Sequence, residues 1–170
     1  RDLKRHAEFS HFKRKKILVA GSSGLIGRQL VAFLDTGGHD VWRLVRREPK
    51  SGEKEIRWNP TEEIIHPEQI EGFDTVIHLG GAGIGDKRWS KKRMKLIEES
   101  RVGSTTFLAK TISNLENKPE SFIVSSAVGW YGERGDENLT ENSQPGQGFL
   151  PSTCARWEES CQSARDAGIR

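Results

Sequence analysis

The chain has 170 residues and a formal net charge of +3, a length that suits one domain of ordinary size with a buried core. The basicity is local: the first 16 residues hold seven Lys/Arg against Asp2 and Glu8, leaving 20 basic against 22 acidic side chains in the rest. A slightly acidic body argues against nucleic acid as a partner, and no apolar run nears the roughly 20 residues of a membrane helix. No signal-peptide pattern precedes the first strand, and Cys154 and Cys161 form neither a CxxC pair nor part of a metal-spaced cluster. These features fit a reduced, cytoplasmic chain without a metal site.

Residues 17–20, ILVA, are short, apolar and β-branched, and predict a buried strand. GSSGLIG follows at once, with Gly21, Gly24 and Gly27 spaced GxxGxxG. Leu25, Ile26, Leu30, Phe33 and Leu34 recur at helical spacing until Gly37 and Gly38, a helix-ending pair. DVWRLVR at 40–46 predicts a second strand and EIRW at 55–58 a short third, closed by Asn59 and Pro60 before a loop over 61–72. DTVIHLGG at 74–81 predicts a fourth strand. One helix is predicted from about residue 90 to 115, because Val102, Thr105, Ala109 and Ile112 recur at three and four. SFIVSSAVGWYG at 121–132 predicts a fifth strand, and residues 151–168 a last helix between Pro151 and Gly168. This order predicts an α/β, Rossmann-type, doubly wound parallel sheet with helices on both faces. The closing DAGIR halts where another apolar strand would begin, so the domain reads as C-terminally truncated.

A strand, a glycine run and a helix in that order give GxxGxxG its physical sense: the backbone turns tightly and approaches a pyrophosphate at a helix N-terminus. Residues Gly21, Ser22, Ser23, Gly24, Leu25, Ile26 and Gly27 are therefore the expected cofactor cradle, against the plainer reading of a glycine-rich turn. Arg28 and Gln29 stand where a P-loop needs Lys and Ser/Thr. At the end of the second strand, where an acid would accept a ribose hydroxyl of NAD, the chain has Arg46 and Arg47. Guanidinium groups match a phosphate, so NADP is favoured over NAD unless both arginines are merely solvated.

With GSSGLIG, DTVIHLGGAGI and VSSAVGWYG in order, the chain resembles the extended short-chain dehydrogenase/reductases, the NAD-dependent epimerase/dehydratase group. RWS at 88–90, IEESRVGST at 97–105, GWYGERGDENLTENS and CARWEE make it similar to one atypical branch, known as sugar-nucleotide epimerases or cell-division inhibitors. The resemblance covers residues 16–170 and implies an NAD(P)-binding domain there, with further cofactor contacts from Leu79, Gly80, Gly81 and Ala82. Residues 1–15 resemble a linker from an upstream START-like domain, or are a plain basic extension.

The superfamily's acid/base chemistry uses a Tyr, a Lys four residues later that lowers its pKa, and a Ser and an Asn. Here the Tyr and Lys positions fall on Leu150 and Cys154, and the Asn position on Arg101. Ser125 and Ser126 match the Ser; Tyr131, the one tyrosine, either packs or serves as an acid/base. Ser126, Ser125 and Tyr131 are thus the catalytic candidates. Arg101 interrupts an apolar stripe and either pairs with an acid or faces an anionic ligand, and is counted with the cofactor contacts. His78, in a strand, reads as a core histidine, Trp157 as packing and Glu158 as a helix-face pair. The basic stretch DKRWSKKRMK is a solvated helix start or a site for a phosphate-bearing small molecule. The expected function is an NADP(H)-dependent oxidoreductase or epimerase of unassigned small-molecule substrate; the alternative is a non-catalytic NADPH-binding regulatory module.

Overall fold

The structure, a computed structural model, describes residues 13–170; the linker expected over residues 1–15 lies mostly outside them. Six strands form one sheet in the order β4-β3-β2-β1-β5-β6. They are β1 (Lys16–Ala20), β2 (Asp40–Val45), β3 (Glu55–Asn59), β4 (Ile64–Ile65), β5 (Thr75–His78) and β6 (Ser121–Val124). Neighbouring pairs are parallel except β3 and β4, so the sheet is mixed where an all-parallel one was expected. The reversed β4 falls inside the predicted 61–72 loop, and Glu63 turns the chain with φ +53°.

Helix α1 (Leu25–Thr36) covers one face of the sheet, where Leu30, Val31 and Leu34 pack on Ile17, Val19, Val41 and Ile77. Leu25, Ile26 and Phe33 lie outside that stripe and are exposed, although their spacing matched it. The opposite face carries the larger core. Leu108, Ala109, Ile112 and Leu115 meet Leu18, Ala20, Leu44, Ile56 and Val76 there, together with Ala164 and Ile169. The continuous apolar register of β1 follows from burial on both faces. Among the described residues, no helix is long and apolar enough to cross a membrane.

Two predicted helices are each divided. The 90–115 segment splits into α2 (Lys91–Glu99) and α3 (Val102–Ser113), with Ser100 and Arg101 between them. The last splits into α4 (Phe149–Glu159) and α5 (Gln162–Asp166). The predicted fifth strand ends at Val124, after which residues 125–148 are loop with one 3-10 turn, Val128–Trp130. Beyond α5 the chain turns at Gly168, φ +79°, and runs beside β6: the Phe122 N–H donates to the Arg170 carbonyl at 2.8 Å and Arg170 N–H to Glu120 at 3.2 Å.

Candidate functional site

The carboxyl ends of β1, β2, β5 and β6 lie along one edge, since Ala20 is in register with Leu44 and His78, and His78 with Val124. The loops from these ends hold the start of the glycine run, Arg46 and Arg47, Leu79 to Ala82, and Ser125, Ser126 and Tyr131, whereas Arg101 lies between α2 and α3 and Leu150 and Cys154 lie on α4. In open α/β sheets such an edge is where ligands bind.

Each glycine of the first loop has its own reason. Gly21 has φ +82°, and a Cβ there would sit 2.7 Å from the Gly80 nitrogen and the Leu79 carbonyl carbon. A Cβ on Gly27 would come 2.2 Å from the Gly21 oxygen. Gly24 differs: its φ of −72° suits any residue, and a Cβ would meet only the Gly21 oxygen, at 3.4 Å. Neither conformation nor packing demands glycine there. Gly24 is also the N-cap of α1, and that helix start has no side-chain cap and no acid in its first turn. By contrast, Ser90 caps α2, accepting the Arg93 N–H at 3.2 Å. The first turn of α1 therefore presents N–H groups and partial positive charge past a position bare of side chain. Ser22 lies buried within the turn, while Ser23, Leu25 and Ile26 line its exposed rim. This cradle fits the pyrophosphate of a dinucleotide.

The two arginines after β2 part company. Arg47 clamps Glu55 with two hydrogen bonds, Nη1 to Oε2 at 2.8 Å and Nη2 to Oε1 at 2.6 Å, and the Lys50 N–H donates to the same carboxylate at 2.9 Å. The Arg47 guanidinium first, and the Lys50 N–H second, hold the Glu55 carboxyl down to about 2. Of the other acids in the segment, Glu48 pairs with Arg57 and Glu53 with Arg43. Arg46 is exposed, and no ion pair of the described residues includes it. Sequence gave no sign of Glu55 as a partner, because the pairing depends on the β2–β3 register.

The β5 loop is tied to the break between α2 and α3. Gly80 N–H donates to His78 Nδ1 at 3.2 Å, so Nε2 carries the ring proton and donates to Ser104 Oγ at 2.9 Å. The Ser104 hydroxyl donates in turn to the Ser100 carbonyl at 2.7 Å. Ala82 N–H donates to Ser100 Oγ at 2.9 Å, and Arg101 Nη1 donates to the Ala82 carbonyl at 2.9 Å. His78 is fully buried and satisfied, as a core histidine should be, and burial pushes its pKa down to about 4.

The catalytic candidates are not brought together. Ser125 bonds back to the His78 carbonyl through its N–H at 3.2 Å and its hydroxyl at 3.5 Å. Ser126 turns the other way and donates to Glu158 Oε1 at 2.5 Å. That pair borders a cleft of about 360 Å³ with Cys161 and Arg165, beside the outer edge of β6 and away from the glycine loop. Tyr131, half-buried, ends the 3-10 turn, and its carbonyl lies where a Cβ on Gly146 would stand, 2.1 Å away. No hydrogen bond among the described residues joins its hydroxyl to either serine.

At the expected Tyr and Lys positions, Leu150 Cβ and Cys154 Sγ lie 3.4 and 3.6 Å from where a Cβ of Gly129 would be. Cys154 is buried, its thiol is pushed up by burial, and it points toward the Ala127 carbonyl at 3.8 Å. Trp157 is buried and donates from Nε1 to Thr105 Oγ1 at 3.0 Å. In the basic stretch, Arg93 pairs with Asp86 at 3.2 Å, and Trp89 meets Phe149 edge-on with ring centroids 5.6 Å apart. Among the described residues, no three His, Cys, Asp or Glu side chains gather as a metal site would require.

Residues 17–152 match the NAD dependent epimerase/dehydratase family. An epimerase family protein of Mycobacterium leprae is 37% identical over 158 residues, covering 93% of this chain and 50% of that protein. The nucleoside-diphosphate sugar epimerase of Corynebacterium glutamicum superposes with a TM-score of 0.80 at 39% identity, over 99% of this chain and 36% of that one. The human epimerase family protein SDR39U1, solved with NADPH, superposes at 0.75 with 25% identity, over 85% of this chain and 48% of that one. The chain spans about half the length of the curated relatives it matches.

Proposed function

The chain belongs to the NAD dependent epimerase/dehydratase family, and from that premise we propose that it binds NADP(H) and serves an oxidoreductase or epimerase reaction on a small molecule. Gly24 carries the reading: a glycine that the protein's own backbone and packing leave unexplained stands at the mouth of an uncapped helix. A pyrophosphate passing there accounts for both features. Arg46, the arginine of its segment left free of acids, is the receptor for the 2′-phosphate, while Arg47 fixes the β2–β3 edge behind it through Glu55. The human relative bound to NADPH supports the same choice.

When bound, the nicotinamide would supply or accept a hydride. This chain's residues orient the cofactor: Gly21 to Gly27 hold the pyrophosphate, and Leu79 to Ala82 border it. Ser125 and Tyr131 belong to the loop after β6, on the side where the substrate would meet the ring, whereas Ser126 turns away to Glu158. A sugar-nucleotide substrate is supported by the Corynebacterium glutamicum relative. The two free thiols support a cytoplasmic setting.

One observation favours a second reading, a dinucleotide-binding regulatory module without turnover: Leu150 and Cys154 pack against Gly129 where an acid/base pair would stand. Titrating the chain with NADPH and NADH by fluorescence tests the first claim, with NADPH expected to bind at least tenfold more tightly. Arg46→Asp should erase that preference. Equal affinity for both cofactors in the unaltered chain would refute the assignment of Arg46. Turnover of UDP-sugars or carbonyl compounds with bound NADPH separates enzyme from module.

A further inference from the structure

Arg101 is a cation in an unusual position. Its guanidinium lies beneath the β5 loop, so close that a Cβ on Gly81 would come 3.0 Å from Cζ. It stacks 5.3 Å from the Trp157 ring centre, and Nη1 donates to the Ala82 and Ile97 carbonyls at 2.9 and 3.0 Å. No ion pair of the described residues includes it, and the like-charged Arg93 bears on it. Half-buried and without an acid, the group is desolvated with no full compensation inside the protein. Nε and Nη2 have no protein acceptor among the described residues, so the planar fork is only half used.

Its neighbours show what it would serve. Cys154 lies on the same helix as Trp157, one turn before it, and it is on Trp157 that the Arg101 guanidinium stacks. Cys154 occupies the position at which the family resemblance expects a lysine. The Cys154 thiol points to Ala127, the residue after Ser125 and Ser126, and Gly81 belongs to the loop that touches Gly21. Arg101 thus sits between the carboxyl ends of β5 and β6, one strand further along than the pyrophosphate cradle.

We propose that Arg101 replaces that lysine from the opposite helix, reaching across from the start of α3 to bind the phosphate and ribose of the nicotinamide half of the dinucleotide. The proposal rests on the cofactor reading above. A lysine at position 154 would extend from α4 toward the ligand; here a small buried thiol leaves room, and the charge arrives from α3, steadied by the Trp157 face. A guanidinium cannot shuttle protons at neutral pH, so the residue binds and orients.

The test compares two ligands on the full chain. NADPH spans both halves of the site, whereas 2′,5′-ADP reaches only the adenosine half and Arg46. Arg101→Met should weaken NADPH about 10- to 100-fold, the loss expected for charge-assisted hydrogen bonds to a phosphate, and change 2′,5′-ADP less than twofold. Arg101→Gln keeps a donor for Ala82 without the charge and should show the same split; Arg101→Lys should recover most of the NADPH affinity. Unchanged 2′,5′-ADP binding also certifies that each variant is folded. Equal weakening of both ligands, or of neither, overturns the proposal and leaves the cofactor reading standing. If the unaltered chain binds neither ligand, the cofactor reading fails, and this proposal with it.

Discussion

His78 gives a prediction whose size follows from its surroundings. Replacing it by glutamine keeps a donor and an acceptor between Gly80 and Ser104 but removes a titrating group from the core. Burial holds the folded-state pKa near 4 against an ordinary 6.5, so between those values the unfolded chain takes up a proton that the folded chain refuses. Stability from this source is complete above pH 6.5 and is lost as pH falls toward 4, at about 1.4 kcal/mol per pH unit. From pH 7 to pH 5 that amounts to about 2 kcal/mol, and over the whole window to about 3 kcal/mol. Urea unfolding at pH 7, 6 and 5, followed by tryptophan fluorescence, measures it. Asp74 and the other carboxylates titrate alike in both proteins, so the difference between their slopes isolates the histidine. At pH 7 the variant should be less stable, because the ring's packing is lost. By pH 5 the gap should have narrowed by about 2 kcal/mol. Parallel pH profiles for the two proteins would refute the claim that this ring is held neutral by burial.

Other substitutions test single features. Gly27→Ala should destabilise the chain by more than about 2 kcal/mol and abolish NADPH binding, since its Cβ meets backbone at 2.2 Å. Gly103→Ala, in α3 with nothing within 4 Å, should stabilise it by about 0.5–1 kcal/mol; thermal unfolding reads both. Arg47→Met strips the buried Glu55 of its main partner. The loss in urea midpoint should be widest above pH 4.5 and close only as pH falls through about 2, below which the carboxylate is protonated in either protein. Trp157→Phe leaves Thr105 Oγ1 without its donor and should lower unfolding stability by about 1–2 kcal/mol in denaturant titrations.

The parts of the fold set by local periodicity and turn chemistry were legible in the sequence. The β1–glycine–α1 unit, the strands β2 and β5 and the family resemblance all follow from residues close together along the chain. What escaped depends on contacts across it. Helical spacing continues past Ser100 and Arg101 although Arg101 interrupts the apolar stripe, and only the hydrogen bonds of those two residues to Ala82 show why the helix parts there. Leu25, Ile26 and Phe33 satisfy helical spacing yet face outward, because α1 meets the sheet along Leu30, Val31 and Leu34 alone. Arg46 and Arg47 look equivalent in sequence; the register of β2 on β3, with Val45 opposite Arg57, is what delivers Glu55 to one of them. Ser126 and Glu158 stand 32 residues apart with no pattern linking them, and only the packing of α4 beside β6 makes them partners.

The two margins of the sheet are unlike in their exposure to association. On one side the reversed β4 is two residues long, too short to recruit a partner strand. On the other, Ile123 is 52% exposed in β6, and the Phe122 N–H is met by the Arg170 carbonyl. A charge introduced at Ile123 should therefore raise the solubility of this chain without disturbing the dinucleotide cradle two strands away.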